Sequence, residues 1–230
     1  MANIGTLTEK YDKFVIFDTE TTGLNFARDE IIEFSAVVLE RQGNEVVVTR
    51  EYDNLVTLSP GNTVPAMIEN LTGISTQDIL ERGVPKAQVC ADIGEMFAGN
   101  PLLRAYNAHI DLSFLFYLLL RNGDPSILKG KDKLDLLTVY KDRRPYPHKL
   151  CNAIDAYNLA GKVVNSHRAI DDVLATVAVM EAMAAEKDDL AQYINLFGYN
   201  PKYGIDGKPI GSVTYKPQSF QNTRPLYLSF

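Results

Sequence analysis

Asp18 and Glu20 stand two positions apart where the apolar run Phe14-Val-Ile-Phe17 ends, inside Phe-Val-Ile-Phe-Asp-Thr-Glu-Thr-Thr-Gly (14–23). Strand side chains alternate with period two, so both carboxylates leave the same face, close enough to share a cation. Like charges at that range raise each other's pKa unless a metal neutralises them. The segment runs on into Thr21-Thr22-Gly23, where a glycine lets backbone approach a ligand and the hydroxyls offer hydrogen bonds to phosphate or sugar. A third acid, Asp111, closes Leu102-Leu-Arg-Ala-Tyr-Asn-Ala-His-Ile-Asp111, and His167 and Asp172 occur together in Ser166-His-Arg-Ala-Ile-Asp-Asp172. Hard divalent cations prefer carboxylate oxygens, and Asp18, Glu20, Asp111, His167 and Asp172 form a set suited to two-metal phosphodiester hydrolysis.

The elements that must position this set follow from periodicity. Phe14–Phe17 suits a strand buried on both faces. The β-branched segments Ile31–Leu39 and Glu45–Val56 flank Arg41-Gln-Gly-Asn44, a hairpin turn, which gives a three-strand meander. Val64–Leu71 reads as a short helix closed by Gly73 in the left-handed conformation, and Lys86–Phe97 as an amphipathic helix stopped by Gly99-Asn100-Pro101. Leu102–Tyr106 is a strand that delivers Asp111 to its C-terminal end, where open α/β sheets bind ligands. Asp111 then starts a helix to Arg121, so it also reads as an ordinary helix N-cap. Leu134–Val139 is either a last strand or a helix start, while Leu150–Leu159 and Ile170–Ala185 are helical. The order points to an α/β domain with a mixed sheet and helices on both faces.

On one continuous helix, five positions separate side chains by about 140°. His167 and Asp172 therefore meet only if His167 lies in the loop before the helix and Asp172 in its first turns. The apolar stripe at 170, 173, 174 and 177 leaves both Asp171 and Asp172 off the core face. Asp172 heads a second stripe with Thr176, Val179 and Met183, which favours it without settling the choice.

Composition narrows the function classes. The chain has 230 residues, 46% hydrophobic and 23% charged, with a formal charge of −6. That balance argues against gripping duplex nucleic acid by bulk electrostatics, although bound cations would offset several carboxylates locally. Cys90 and Cys151 form no C-x-x-C pattern, so a zinc site is not expected and a reducing, cytoplasmic location fits. The first ten residues lack the apolar core of a signal peptide, and Leu112–Leu120 is too short to cross a bilayer. From Phe197 onward the composition shifts to Gly, Pro, Lys and aromatics, with Asp206-Gly207 a candidate hairpin turn. We divide the chain into a domain over 1–196 and an appendage over 197–230 that packs on it or docks a partner.

Asp18-Thr-Glu20-Thr-Thr-Gly, then Asn107-Ala-x-x-Asp111, then His167-Arg-Ala-x-x-Asp172 resembles the DEDDh branch of the DnaQ-like 3′–5′ exonucleases, in the correct order over roughly residues 10–185. Leu71-Thr-Gly-Ile74 resembles a connector recurring in the proofreading group, as in the exonuclease subunit or domain of bacterial DNA polymerase III. The resemblance implies a ribonuclease H-like fold with a five-stranded mixed sheet. It implies that Asp18, Glu20, Asp111 and Asp172 hold two Mg²⁺ or Mn²⁺ ions, with His167 as general base, and its H-x₄-D spacing selects Asp172 over Asp171. Thr19, Thr21, Gly23, Leu24 and Asn107 are the implied substrate contacts, with Leu24 and Phe26 able to pack on or between the last bases or to belong to the core. The implied reaction releases 5′-mononucleotides from the 3′ ends of single-stranded or frayed DNA, with a separate DNA polymerase subunit as a possible partner. RNA trimming, as in ribonuclease T or oligoribonuclease, is the alternative within enzymes; a non-catalytic nucleic-acid-binding module is the alternative outside them. One departure is visible: many relatives carry histidine where this chain has Tyr106. His109 and His148 lack matching partners and read as structural or surface residues.

Overall fold

The structure, a computed structural model, describes residues 4–199, 212–218 and 224–229. After a short helix α1 (Leu7–Lys10), the chain forms β1 (Lys13–Thr21), β2 (Ile31–Gln42) and β3 (Glu45–Leu55). Three helices follow, α2 (Ala66–Thr72), α3 (Thr76–Arg82) and α4 (Lys86–Met96), then β4 (Leu102–Ala105) and α5 (Ala108–Asn122). Next come β5 (Asp132–Asp135), α6 (Leu136–Arg143), α7 (Leu150–Ala156) and α8 (Ala169–Glu186), and finally β6 (Leu196–Tyr199) and β7 (Thr214–Pro217).

β1, β2 and β3 make the antiparallel meander, and β4 and β5 add to β1 in parallel, giving a mixed sheet in the order β3-β2-β1-β4-β5. Helices cover both faces, which is why β1 opens as a continuous apolar run instead of an alternating one. Phe14 and Ile16 pack with Val173, Val179 and Met180 of α8, whereas Val15 and Phe17 pack with Ile93 of α4 and with Leu112 and Leu115 of α5. Parity along β1 therefore assigns even positions to the α8 layer and odd positions to the α5 layer.

Several boundaries differ from the sequence reading. Leu134–Val139 is both things at once: β5 ends at Asp135, whose carboxylate caps α6 by accepting from the amides of Leu137 (3.3 Å) and Thr138 (3.0 Å). Helix α3 was not anticipated, although its start is a capping box: Ser75 Oγ accepts from the Asp78 amide at 3.0 Å and the Ser75 amide donates to Asp78 Oδ2 at 2.9 Å. Gly73 does close α2 in the left-handed region, at φ 72°.

The strand β6 runs across the 196/197 division. Phe197 is buried in the α5 layer, Leu196 and Leu226 in the α8 layer, so the later residues are built into both cores. β6 and β7 pair in parallel and are not the two arms of a hairpin. The turn expected at Asp206-Gly207 lies outside the described residues. Among the described residues, no helix is long and apolar enough to cross a membrane.

Candidate active site

Even parity puts Asp18 and Glu20 on the α8 side of β1, and α8 brings Asp172 to meet them. One carboxylate oxygen from each of Asp18, Glu20 and Asp172 lies within 4.8 Å of the others. Neighbouring Asp171 turns the other way, its carboxylate taking the hydroxyl of Ser166. The choice that periodicity left open is thus made by the packing of the first turn of α8. Asn165 Nδ2 donates to Asp172 Oδ1 at 2.5 Å and holds it in the cluster.

Asp111 arrives from the opposite layer. It is not the helix N-cap expected from sequence, because α5 begins three residues earlier at Ala108, with Asn107 as N-cap at φ 70°. Asn is among the few residues that tolerate this left-handed region. Asp111 is buried one turn into the helix, where Oδ1 accepts from the Thr19 amide at 3.0 Å and from the Thr19 hydroxyl at 2.8 Å. Thr19, at odd parity, is the bridge that fastens Asp111 to the strand carrying Asp18 and Glu20.

The turn after β1 uses its polar groups on itself. Thr21 Oγ1 donates to the Gly23 carbonyl at 2.6 Å, and Thr22 Oγ1 accepts from the Glu30 amide at 2.9 Å. The hydroxyl protons of Thr19 and Thr21 are committed within the protein, to Asp111 and to the Gly23 carbonyl. At Gly23 a Cβ would come within 2.4 Å of Asp29 Oδ2, so the Asp29 carboxylate packs closely on this glycine. Leu24 is 84% exposed, while Phe26 packs against the rings of Phe114 and Tyr117. Only Leu24 stands out toward solvent.

His167 occupies the loop before α8, as the five-residue spacing requires. It is exposed, at φ 58°, and lines a cavity of about 630 Å³ together with Asn107, Tyr106, Asn165, Lys149 and Asp172. Tyr106, the departure from the histidine of many relatives, donates its hydroxyl to the backbone carbonyls of His148 (2.8 Å) and Lys149 (3.3 Å). It pins the loop that walls this cavity. His148 is buried with a ring nitrogen 2.9 Å from the Arg144 carbonyl, and a ring nitrogen of His109 lies 3.0 Å from the Tyr215 hydroxyl, so neither joins the acids.

Crowding sets the electrostatics. Burial, reinforced by Asp111, Asp172, Glu20 and Glu33, holds the Asp18 carboxyl well above the usual carboxylate range. Burial and the Asp172 and Glu33 charges push Glu20 up to about 8. Burial lifts Asp111 to about 7 against the hydrogen bonds from Thr19, and lifts Asp172 against the Asn165 bond and the His167 charge. Among the described residues, none of the four is in an ion pair with Lys or Arg. Oxygen-only donors and several carboxylates in one place, with no direct ion pair to Lys or Arg among the described residues, fit hard divalent metal ions.

The RNase T exonuclease family model matches residues 15–180, most of the chain. The chain belongs to this exonuclease family. It thereby falls within the DnaQ-like 3′–5′ exonuclease superfamily. DNA polymerase III PolC-type of Clostridium perfringens is 32% identical over 202 residues, covering 86% of the chain and 13% of that protein. The 3′-5′ exonuclease DinG of Bacillus subtilis is 35% identical over 112 residues, covering 48% of the chain and 11% of that protein. The chain thus spans a small fraction of the length of these relatives. Among solved structures, E. coli exonuclease I in complex with a dT13 oligonucleotide superposes with a TM-score of 0.69 at 21% identity, over 80% of the chain and 43% of that protein. The fold of this exonuclease-family chain is accordingly ribonuclease H-like.

Sequence reasoning passed over three residues that organise the site. Asp135 Oδ1 accepts from the amides of Asn107 and Ala108, both at 3.0 Å, so one carboxylate caps α5 as well as α6. Glu33 is fully buried in β2, directly opposite Glu20, and binds Arg168 beside His167. A charged residue inside the apolar segment Ile31–Leu39 was a signal available in the sequence.

Proposed function

We propose that this chain is a metal-dependent 3′–5′ exonuclease that releases 5′-mononucleotides from single-stranded or frayed DNA ends. The observation that carries this reading is the meeting of Asp18, Glu20 and Asp172 within 4.8 Å, from a strand and a helix far apart in sequence, beside a cavity large enough for a nucleotide. Asp18, Glu20, Asp172 and Asp111 would hold two Mg²⁺ or Mn²⁺ ions, which when bound supply activation of a water nucleophile and stabilisation of the leaving 3′-oxygen. His167, on an exposed loop at the cavity wall, accepts the proton of the attacking water. Leu24, 84% exposed and three residues past the end of β1, would pack on the terminal base. Exonuclease I is crystallised with dT13 and the PolC-type relatives are named as DNA polymerases, which favours DNA over RNA as substrate; residues 197–230 would be the segment that docks a polymerase partner.

Purified protein incubated with 3′-labelled DNA and RNA oligonucleotides, with Mn²⁺ or with EDTA, tests this directly. Metal-dependent release of mononucleotides from DNA is expected. Release from RNA alone would replace the DNA reading with RNA trimming, and release from neither would leave a binding module. Asp18→Ala should cut turnover by about 10³-fold or more while the fold persists, since a metal-site acid accounts for several kcal/mol of transition-state stabilisation.

A further inference from the structure

A fifth carboxylate lies against the acidic cluster without belonging to it. Glu33 has no accessible surface, and its strand position faces Glu20 across the β1–β2 ladder. Both of its oxygens are taken by the start of α8. Oε1 accepts from Arg168 Nε at 2.9 Å and also from the other arm of the guanidinium, and Oε2 accepts from the Ala169 amide at 2.8 Å. The backbone carbonyl of Arg168 in turn receives the Asp172 amide at 3.1 Å. A single buried carboxylate on β2 therefore grips the residue after His167 and, through one helical turn, the residue that supplies the third acid of the cluster.

This arrangement suits holding better than ligation. A cation at Glu33 would have to displace one of three N–H donors, two of them on a positively charged fork whose geometry matches a carboxylate. Asp172 has no bond to β1 of its own; Asn165, in the loop before the helix, is its only side-chain partner among the described residues. What fixes α8 against the sheet at this end is the charged contact to Glu33.

We propose that Glu33 is a positioning residue for the nuclease reaction, acting through Arg168 and the Ala169 amide to hold Asp172 and the His167 loop in register with Asp18 and Glu20. The inference rests on the exonuclease reading for its activity consequence, but its geometric core is a claim about metal affinity. Groups that orient metal ligands change metal affinity or activity by about 10- to 100-fold when removed.

Glu33→Gln, Arg168→Gln and Arg168→Lys in the full chain test it, compared with wild type and Asp18→Ala. Mn²⁺ binding by titration calorimetry, thermal melting in EDTA, and kcat and KM on a 3′-labelled single-stranded oligonucleotide are the readouts. Glu33→Gln and Arg168→Gln are expected to weaken Mn²⁺ binding and lower kcat by about 10- to 100-fold with KM little changed. Arg168→Lys, which keeps the charge but loses the fork, should recover part of the loss. Wild-type Mn²⁺ affinity in folded Glu33→Gln would overturn the proposal, as would an activity loss equal to the unfolded fraction. Should Glu33→Gln fail to fold, Arg168→Gln decides, because the Arg168 side chain is 38% exposed and tolerates replacement better. If wild type binds Mn²⁺ yet cleaves nothing, the exonuclease reading fails, and the calorimetric series still judges Glu33.

Discussion

The two helices that bring acids to β1 are fastened in opposite ways. On the α5 side, Asp111 is buried and takes two hydrogen bonds from Thr19, while the helix start is capped by Asp135, itself 5% exposed. On the α8 side, the helix start is held by the Glu33–Arg168 pair, and His167 just outside it is exposed. The α5 side is built like a core, by hydrogen bonds from the Thr19, Asn107 and Ala108 amides to two buried carboxylates. The α8 side is built like a joint, with a charged anchor behind and a solvated loop in front. On the proposed exonuclease reading, the candidate general base, His167, stands on the solvated wall of the site and the α5 acids on the more buried one.

Breaking the joint in front should be the most costly to turnover and the least costly to the fold. His167→Ala is expected to lower kcat by about 10²- to 10⁴-fold, the usual contribution of a general base, with no drop in melting temperature. A kinetic assay at saturating Mn²⁺ with a parallel melt checks both halves; unchanged turnover would remove His167 from the mechanism. The reverse pattern belongs to Asp135→Ala, which strips the caps from α5 and α6 together. Each cap is worth about 1 kcal/mol, so a loss of roughly 2 kcal/mol or more in denaturant melts is expected, with activity falling because Asn107 and Asp111 are no longer placed. If stability were untouched, the α5 wall would not be the rigid one.

Thr19→Val removes one hydroxyl bond from Asp111 and keeps the side-chain shape. It should cost about 1 kcal/mol in the metal-free protein, read by the same melts. A larger effect on Mn²⁺ affinity than on stability would show that Thr19 matters more as an orienter of Asp111 than as a brace.

A further effect, on stability alone, concerns pH. Glu20 is pushed up to about 8, so the folded, metal-free protein holds its proton more tightly than the unfolded chain does. That contribution to stability is present in full below the ordinary carboxylate range and is lost as pH rises toward 8. The melting temperature in EDTA should therefore fall between pH 5 and pH 8, by about 5 °C, and Glu20→Gln should flatten the slope. Mn²⁺ should flatten it as well, by taking the place of the proton. A melting temperature independent of pH in EDTA would contradict the crowding of the four acids.

The legible part of the site was the part governed by short-range rules. Period-two alternation placed Asp18 and Glu20 on one face, and helical geometry moved His167 off α8. The meander, the Gly73 cap and the helices around residues 86–97 and 170–185 were readable for the same reason, since each depends on neighbours within a few residues. The alternative reading of Asp111 as a helix N-cap arose because the actual cap, Asn107, sits at a positive φ and bonds its amide to Asp135, 28 positions away. Sequence shows the hydroxyls of Thr19 and Thr21 but not the internal acceptors they find, Asp111 and the Gly23 carbonyl.

The sequence by itself determined which residues share a strand face, where helices start and stop, and the order of the acidic motifs, because those follow from local backbone geometry and burial periodicity. Only the tertiary structure decided that α8 and α5 reach β1 from opposite faces and that Glu33 binds Arg168 from 135 positions away, and it turned inward the Asp172 that periodicity left open and the motif spacing favoured. Contacts between distant segments depend on how layers pack and which buried charges find partners, and neither leaves a period in the chain.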